Sequence, residues 1–151
     1  MKKFRFKTVA YRDYKILFNW RNEREVRINS FNKKKIDLKN HKNWLKRQLK
    51  KKKDYFWFFL KNEKKIGLVR LSYINNKFIL NYMISKEFRK KKLANKMLIF
   101  MLKKIKQKKN NNLNIIAQIK HNNIISKKSL LGSGFKIIKK TNKYINFKYS
   151  F

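Results

Sequence analysis

The chain has no cysteine and no proline, only 3 glycines and 2 histidines, and 7 acidic residues against 44 lysines and arginines. Without cysteine there is no disulfide, no thiolate metal site and no cysteine nucleophile, a composition compatible with a reducing cytoplasm. With His41 and His121 as the whole histidine supply, metal chemistry is poorly provided for and no metal site is expected. Long apolar runs are also lacking: Tyr55–Leu60 and Met97–Leu102 fall far short of the ~20 residues needed to span a bilayer. Met1-Lys2-Lys3 begins like a signal peptide, but Phe4-Arg5-Phe6-Lys7-Thr8-Val9 alternates like a strand and offers no continuous apolar segment. A soluble, cytoplasmic protein is expected.

What is present in abundance is lysine. A formal net charge of +37 ordinarily points to nucleic acid or another anionic surface. Here the lysines are scattered through every expected element beside many Asn and Ile, which together with the shortage of Pro and Gly is the pattern an AT-rich genome imposes. A dedicated nucleic-acid face is therefore not expected, and the runs Lys33–Lys35, Lys50–Lys53 and Lys106–Lys109 read as solvated loops or helix ends. At 151 residues, 42% of them hydrophobic, the chain suits one domain over 1–151, with no repeat or interdomain linker.

Periodicity gives the element order. A strand over 3–9 precedes a helix over 12–20 with Ile16, Leu17 and Trp20 on one side; Asp37 is placed to cap a helix over 38–50 carrying Leu38, His41 and Leu45 in a stripe. Strands over 55–60, 65–73 and 77–84 follow as a meander, turned by Asn62-Glu63-Lys64 and Asn75-Asn76. A helix over 90–107 repeats Leu93, Met97, Leu98, Met101, Leu102 and Ile105, then come a polar break at Asn110–Asn112, a strand over 114–119, a short helix over 123–132 and a final hairpin.

The junction between the strand ending at Ile84 and the long helix carries Arg89-Lys90-Lys91-Lys92-Leu93-Ala94, a basic turn where unpaired helix N–H groups and the helix dipole favour an anion. Downstream stand Asn123-Ile124-Ile125-Ser126 and Gly134-Phe135. In this order the segments resemble the GNAT N-acetyltransferase family, whose acetyl-CoA turn reads Arg/Gln-x-x-Gly-x-Gly/Ala and whose second motif is Asn-x-x-Ser followed by Gly-Phe. Arg89 and Ala94 match the turn; Lys92 stands where glycine is usual, and glycine alone reaches φ > 0 at little cost. Upstream, Trp20-Arg21-Asn22-Glu23, Val26-Arg27, Ile36, His41, Trp44, Tyr55-Phe56 and Ile66-Gly67 are similar to the group that acetylates a nucleotide-linked 4-amino-sugar, as in pseudaminic-acid synthesis.

The resemblance implies an α/β GNAT fold, with a mixed, mostly antiparallel central sheet of about seven strands flanked by about four helices. It implies an acetyl-CoA-dependent N-acetyltransferase, an acyltransferase working by direct transfer to a primary amine, the amine of a nucleotide-linked amino-sugar for surface glycans. Alternatives are a protein N-terminal acetyltransferase of the ribosomal-protein type, and an inactive basic module that binds RNA or ribosomes. Acetyl-CoA and a nucleotide sugar are both polyanions, which the chain's charge attracts.

By the same resemblance the cofactor is held by the backbone around Met83 and Ile84, by Arg89, Lys90, Lys91, Lys92, Leu93 and Ala94, and by Asn123 and Ser126. Asn123 also suits a helix N-cap, and Ser126 is a polar contact and not a nucleophile, since direct transfer needs no acyl-enzyme. Relatives carry a tyrosine acid four residues after the motif serine; here that position is Leu130, which leaves Tyr82, Ser129 or water to supply the proton. Tyr82 matches a tyrosine of the sugar-nucleotide group and is taken as catalytic or substrate-binding, with core packing as the alternative. His41, with an ordinary pKa of about 6.5, is preferred as general base, or as a substrate contact, with Asp13, Glu23 and Glu25 left open. Arg21, with Asn22, is the candidate for a substrate phosphate because a guanidinium binds phosphate bidentately; a surface pair with Glu25 is the alternative.

Overall fold

Seven strands, β1 (Phe4–Thr8), β2 (Tyr55–Lys61), β3 (Lys64–Ile74), β4 (Lys77–Ile84), β5 (Asn114–Lys120), β6 (Lys136–Lys140) and β7 (Tyr144–Ser150), pair in the order β1-β2-β3-β4-β5-β7-β6 in a computed structural model that describes residues 3–108 and 112–151. Every neighbouring pair is antiparallel except β4 and β5, which run parallel. Both meander turns are two-residue loops with positive φ at each central position, Asn62 (46°) with Glu63 (66°) and Asn75 (49°) with Asn76 (60°). That is the type I′ geometry whose twist matches the strands, and asparagine tolerates it well. Glu63 adopts it while its carboxylate is gripped by Arg5 of the neighbouring strand.

Alternation along the strands builds two cores, one on each face. On one face Phe59, Val69, Leu71 and Phe78 meet the buried stripe Met97, Leu98, Met101 and Ile105 of α4 (Leu93–Lys108). On the other, Phe56, Phe58 and Leu60 pack on Leu17 of α1 (Tyr14–Asn22) and Leu45 of α3 (Leu38–Leu49). Each such side chain removed from water contributes about 1.5–3 kcal/mol before entropy is counted. The cap expected at Asp37 is present, its side chain accepting the Asn40 amide at 2.9 Å. The short helix α5 (Ile124–Gly132) ends at Gly134, whose φ of +100° lets the Phe135 amide turn back to the Leu130 carbonyl at 3.1 Å.

Three details differ from the periodicity. A further helix, α2 (Arg24–Asn29), follows α1 and makes five; it is too short and too polar to show a helical stripe. A 3-10 turn, Tyr11–Asp13, precedes α1. The helix expected from residue 90 begins at Leu93, because Lys90 and Lys92 lie in left-handed conformations. Met1 and Lys2, Lys109 of the basic run, and Asn110 and Asn111 of the polar break lie outside the described residues. Among the described residues no helix is long and apolar enough to cross a membrane, and no group of three or more His, Cys, Asp or Glu residues is placed to hold a metal ion.

Gly67, which pairs with Ile84, lies close beneath Met97 of α4. A Cβ there would lie 2.8 Å from Met97 Sδ, 2.9 Å from Ile84 Cδ1 and 3.0 Å from the Met83 carbonyl oxygen. Two flexible side chains can shift, but the carbonyl belongs to the strand ladder. Gly67→Ala is therefore expected to cost about 1–3 kcal/mol by overpacking and to lower the thermal unfolding midpoint. An unchanged midpoint would show that α4 rides over the sheet more loosely than these distances state.

Candidate active site

The parallel pair β4/β5 is laddered only from Lys77–Leu80 to Asn114–Ala117, although β4 runs on to Ile84 and β5 to Lys120. Beyond Leu80 the strands part, each still paired on its other edge. Backbone groups of a strand alternate sides, and Ser85 donates its amide to Ile66 of β3's side at 2.9 Å. Met83 accordingly turns its amide to β3, and Tyr82 and Ile84 turn theirs to the gap. The Ile84 carbonyl, on that same side, accepts Arg89 Nε at 3.0 Å. Of the pair expected from the sequence, Ile84 therefore offers backbone groups to the gap, whereas Met83 contributes its side chain to the cleft.

The basic turn sits at the open end of the gap. Lys90 (φ 59°) and Lys92 (φ 56°) are both left-handed, so the lysine at the glycine position keeps the conformation that glycine adopts freely. From Lys90 through Asn95, no amide N–H has a partner among the described residues, and the first intrahelical bond is Lys96 to Lys92 at 3.4 Å. Consecutive outward N–H groups at a helix start form a concave anion site. Arg89 does not extend from this turn as a free cation. Its guanidinium is bound by Glu23 and by Glu25 (2.7 Å), which ties the turn to the α1–α2 junction.

Across the gap, the Tyr82 hydroxyl shares a short hydrogen bond with Ser126 Oγ and lies 3.3 Å from the Ser126 carbonyl. Burial pushes the Tyr82 phenol up to about 12, with the Ser126 hydrogen bond working the other way, so it holds its proton at neutral pH. Asn123 caps α5 through its side-chain oxygen on the Ser126 amide at 3.2 Å. Leu130 is fully buried in the core, so no side chain of α5 occupies the usual acid's place there. The Tyr82 phenol reaches the first turn of the same helix from β4 instead.

A cleft of about 580 Å³ opens between these elements and α1–α3. Arg21 lines it, half-buried, with Nη2 on the Asn32 carbonyl at 3.0 Å and Nη1 buried without a partner; burial and the nearby Arg27 both lower its pKa. His41, 2% exposed, packs between the tilted rings of Phe18 and Trp44, and its Nε2 is likewise buried, with no hydrogen-bond partner among the described residues. Burial holds its pKa below the ordinary 6.5, opposed by a hydrogen bond to the Tyr14 backbone, so the ring is neutral at pH 7.

The cleft brings together Arg21, His41, Tyr82, Met83, Ile84, Arg89, Ala94, Asn123 and Ser126. It leaves out Asn22, whose side-chain amide is consumed by the Ile36 backbone, donating and accepting at 2.8 Å, so that Asn22 fixes the 30–36 loop and does not face the opening. Lys90, Lys91, Lys92 and Leu93 border it through the turn alone. Sequence reasoning passed over Arg70, whose guanidinium lies 5.2 Å from the Trp44 ring in the cleft wall. The signal was available: Arg70 is a lone charge in the apolar strand run Ile66–Leu71.

A sequence model described as the acetyltransferase (GNAT) domain matches residues 3–136. None of the curated proteins matches the chain. Among solved structures, a domain from Methanocaldococcus jannaschii DSM 2661 superposes with a TM-score of 0.85 at 21% identity, over 100% of both chains. Spermidine N-acetyltransferase from Vibrio cholerae, in complex with CoA and spermine, gives 0.82 at 13% identity over 97% of this chain and 95% of its own. Ribosomal-protein-alanine N-acetyltransferase from Brucella melitensis gives 0.77 at 14%, over 97% and 99%. At these identities the likeness is one of fold.

The left-handed Lys92 yields a direct test. Lys92→Gly removes a side chain from a conformation that costs an L-residue roughly 1–2 kcal/mol, against an added unfolded-state entropy of up to about 1 kcal/mol. A small rise in the unfolding midpoint is expected. A clear fall would mean that the lysine side chain itself holds the turn.

Proposed function

We propose, from the premise that the chain belongs to the GNAT acetyltransferase family, that it acetylates a primary amine carried on an anionic molecule, a nucleotide-linked amino-sugar fitting best. The family makes it an acetyl-CoA-dependent N-acetyltransferase; the acceptor is our reading. One observation carries it: Arg21 lines the acceptor side of the cleft with a buried donor that has no hydrogen-bond partner among the described residues. A desolvated guanidinium donor is costly until an anion meets it, and a phosphate does so in bidentate fashion. The one carboxylate in the cleft wall, Glu25, is engaged with Arg89. Such a cleft disfavours a polycation like the spermine bound by the Vibrio cholerae enzyme.

The residues fit the donor. The orphan amides of Lys90 to Asn95 would hold its phosphates, and the gap-facing backbone of Tyr82 and Ile84 its pantetheine arm and acetyl oxygen, as preorganised donors. When bound, acetyl-CoA supplies an activated acetyl group and a thiol leaving group. Arg89 keeps the turn in place through Glu23 and Glu25. Tyr82, protonated to about 12, holds a donor proton at its hydroxyl across the gap, in the role that Leu130 cannot fill. His41 is neutral and presents an unpaired Nε2, so it can accept a proton on the amine side. Lys92 and Leu130, the two departures from the family's motifs, leave the turn's path and a phenol in place.

Free-thiol release from acetyl-CoA against UDP-linked amino-sugars, peptides and polyamines tests the reading. Arg21→Ala is expected to raise the acceptor KM and leave CoA binding intact, since a remote phosphate contact acts equally in ground and transition states. Robust turnover of peptide N-termini with none of any UDP-amino-sugar would overturn the acceptor assignment. The wild-type kcat/KM should fall on the acid side with an apparent pKa below 6.5, because the active His41 is the neutral form and burial lowers its pKa. His41→Gln should erase that limb and lower kcat by about 10²-fold. An unaltered profile would remove His41 from the proton path. Tyr82→Phe should likewise lower kcat about 10²-fold with no new basic limb in the wild type below pH 10, the phenol titrating near 12.

A further inference from the structure

We infer that the acceptor site continues past Trp44 and Arg70 into a second recess that takes the phosphates of the acceptor, a nucleoside diphosphate group in its fullest form. The inference rests on the anionic acceptor just proposed and names where the anion lies. Beside the main cleft is a recess of about 470 Å³, and the two share a wall made by Trp44 and Arg70. Arg70 is half-buried, its guanidinium carbon lies over the Trp44 ring at 5.2 Å from the centroid, and the guanidinium makes no hydrogen bond among the described residues. Burial lowers its pKa, and nearby Asp54 offsets this only in part. Asp54 also lines the recess, but its two oxygens already accept from Gln48 Nε2 and the Tyr73 amide, each at 2.9 Å. The carboxylate thus orders the wall, while the donors of Arg70 stay open to an incoming anion.

The far side of the recess is Lys51, Lys52 and Lys53, exposed on the loop after α3. With Arg70 they make four cations around a space whose single acid is already held. Position along the helix sets the reach. His41 and Trp44 share the inner stripe of α3 with Gln48, and Lys51 follows the helix end, so the recess opens at Trp44, one turn from His41, while about 15 Å at 1.5 Å per residue separates the level of His41 from the lysines at its far end. That exceeds a single sugar ring. An amine presented to His41 would reach the lysines only if its sugar carried a phosphate-linked extension. The stacked pair Trp44 and Arg70 at the junction offers a flat surface and a bidentate fork where sugar gives way to phosphate.

Two variants test the recess: Arg70→Gln, and the triple Lys51→Ser, Lys52→Ser, Lys53→Ser, whose side chains are exposed and whose fold should be unaffected. UDP is titrated calorimetrically into protein saturated with CoA, so that the turn at Lys90–Asn95 is blocked. Wild type should bind UDP, and each variant should bind it roughly 10- to 100-fold more weakly, the scale of hydrogen bonds to a charged group. The KM for a UDP-linked amino-sugar should rise in parallel in both variants, while the triple lysine variant keeps the wild-type kcat and the wild-type KM for the same amino-sugar lacking UDP. No UDP binding by CoA-saturated wild type, or binding that both variants keep, would overturn the recess. Loss of UDP binding in the variants of an enzyme that acetylates only unphosphorylated amines would leave the recess standing and defeat the acceptor reading instead.

Discussion

The parting of β4 from β5 after Leu80 is the constraint from which the rest of the site follows. A sheet interior normally pairs every strand edge, because an unmet N–H or C=O out of water costs about 1–3 kcal/mol. Here β4 keeps its ladder with β3 to Ile84 and β5 keeps its ladder with β7 to Lys120, so only the facing edges are left open. What lies around the opening holds it apart. Tyr82 reaches across to Ser126 at the start of α5, Asn123 caps that helix, and Leu130 anchors it in the core. Gly67, lacking a side chain, lets α4 lie close to the sheet just where β4 diverges, and so sets the height of the basic turn above the gap.

Charge is the second constraint, and its sparing side is the acidic one. Each of the 7 carboxylates has a structural partner: Asp13 with Lys65 and the Ala10 amide, Glu23 and Glu25 with Arg89, Asp37 as a cap, Asp54 with Gln48 and Tyr73, Glu63 with Arg5, Glu87 with Lys64. Most of these pairs are exposed and worth at most about 1 kcal/mol each, so their value is positional. The Arg89 pair is the informative one. It joins the turn at the open end of the gap to the α1–α2 junction, so the two walls of the site are tied to each other. With every carboxylate engaged, Asp13, Glu23 and Glu25 are held by structural contacts, whereas the buried His41 Nε2 has no hydrogen-bond partner among the described residues.

Much of this was legible in the residues. The meander, its Asn-rich turns, the Asp37 cap and the stripe of α4 all follow from local rules that tertiary packing had no reason to override. The order of the motifs also placed the turn, Asn123 and Ser126 together. The parting of the strands was not legible, since Phe78–Ile84 reads as one uniform apolar strand whether or not its second edge is paired. Nor was α2, a single polar turn and a half. Asn22 stands outside the cleft for a physical reason: a side-chain amide can satisfy a passing backbone as readily as a ligand, and here the Ile36 backbone takes both its donor and its acceptor. Arg70 was overlooked because alternation assigns a strand residue to a face without saying whether that face meets a core or a cleft.

The two departures from the motif are then of different kinds. At Lys92 the backbone conformation persists and only its energetic support changes: a lysine sits at φ 56° where glycine is unstrained, and the surrounding amides still point outward. Strain of about 1–2 kcal/mol is tolerable in a turn anchored by Arg89 on one side and by the buried Leu93 on the other. At Leu130 the side chain itself is gone from the site, and no backbone adjustment can replace a proton donor. The phenol of Tyr82 reaches the first turn of that helix from β4, and its burial beside Ser126 keeps it protonated. A position is thus kept by geometry in the first case, whereas in the second the hydroxyl beside that helix comes from another element, which a motif comparison along the chain has no means of following.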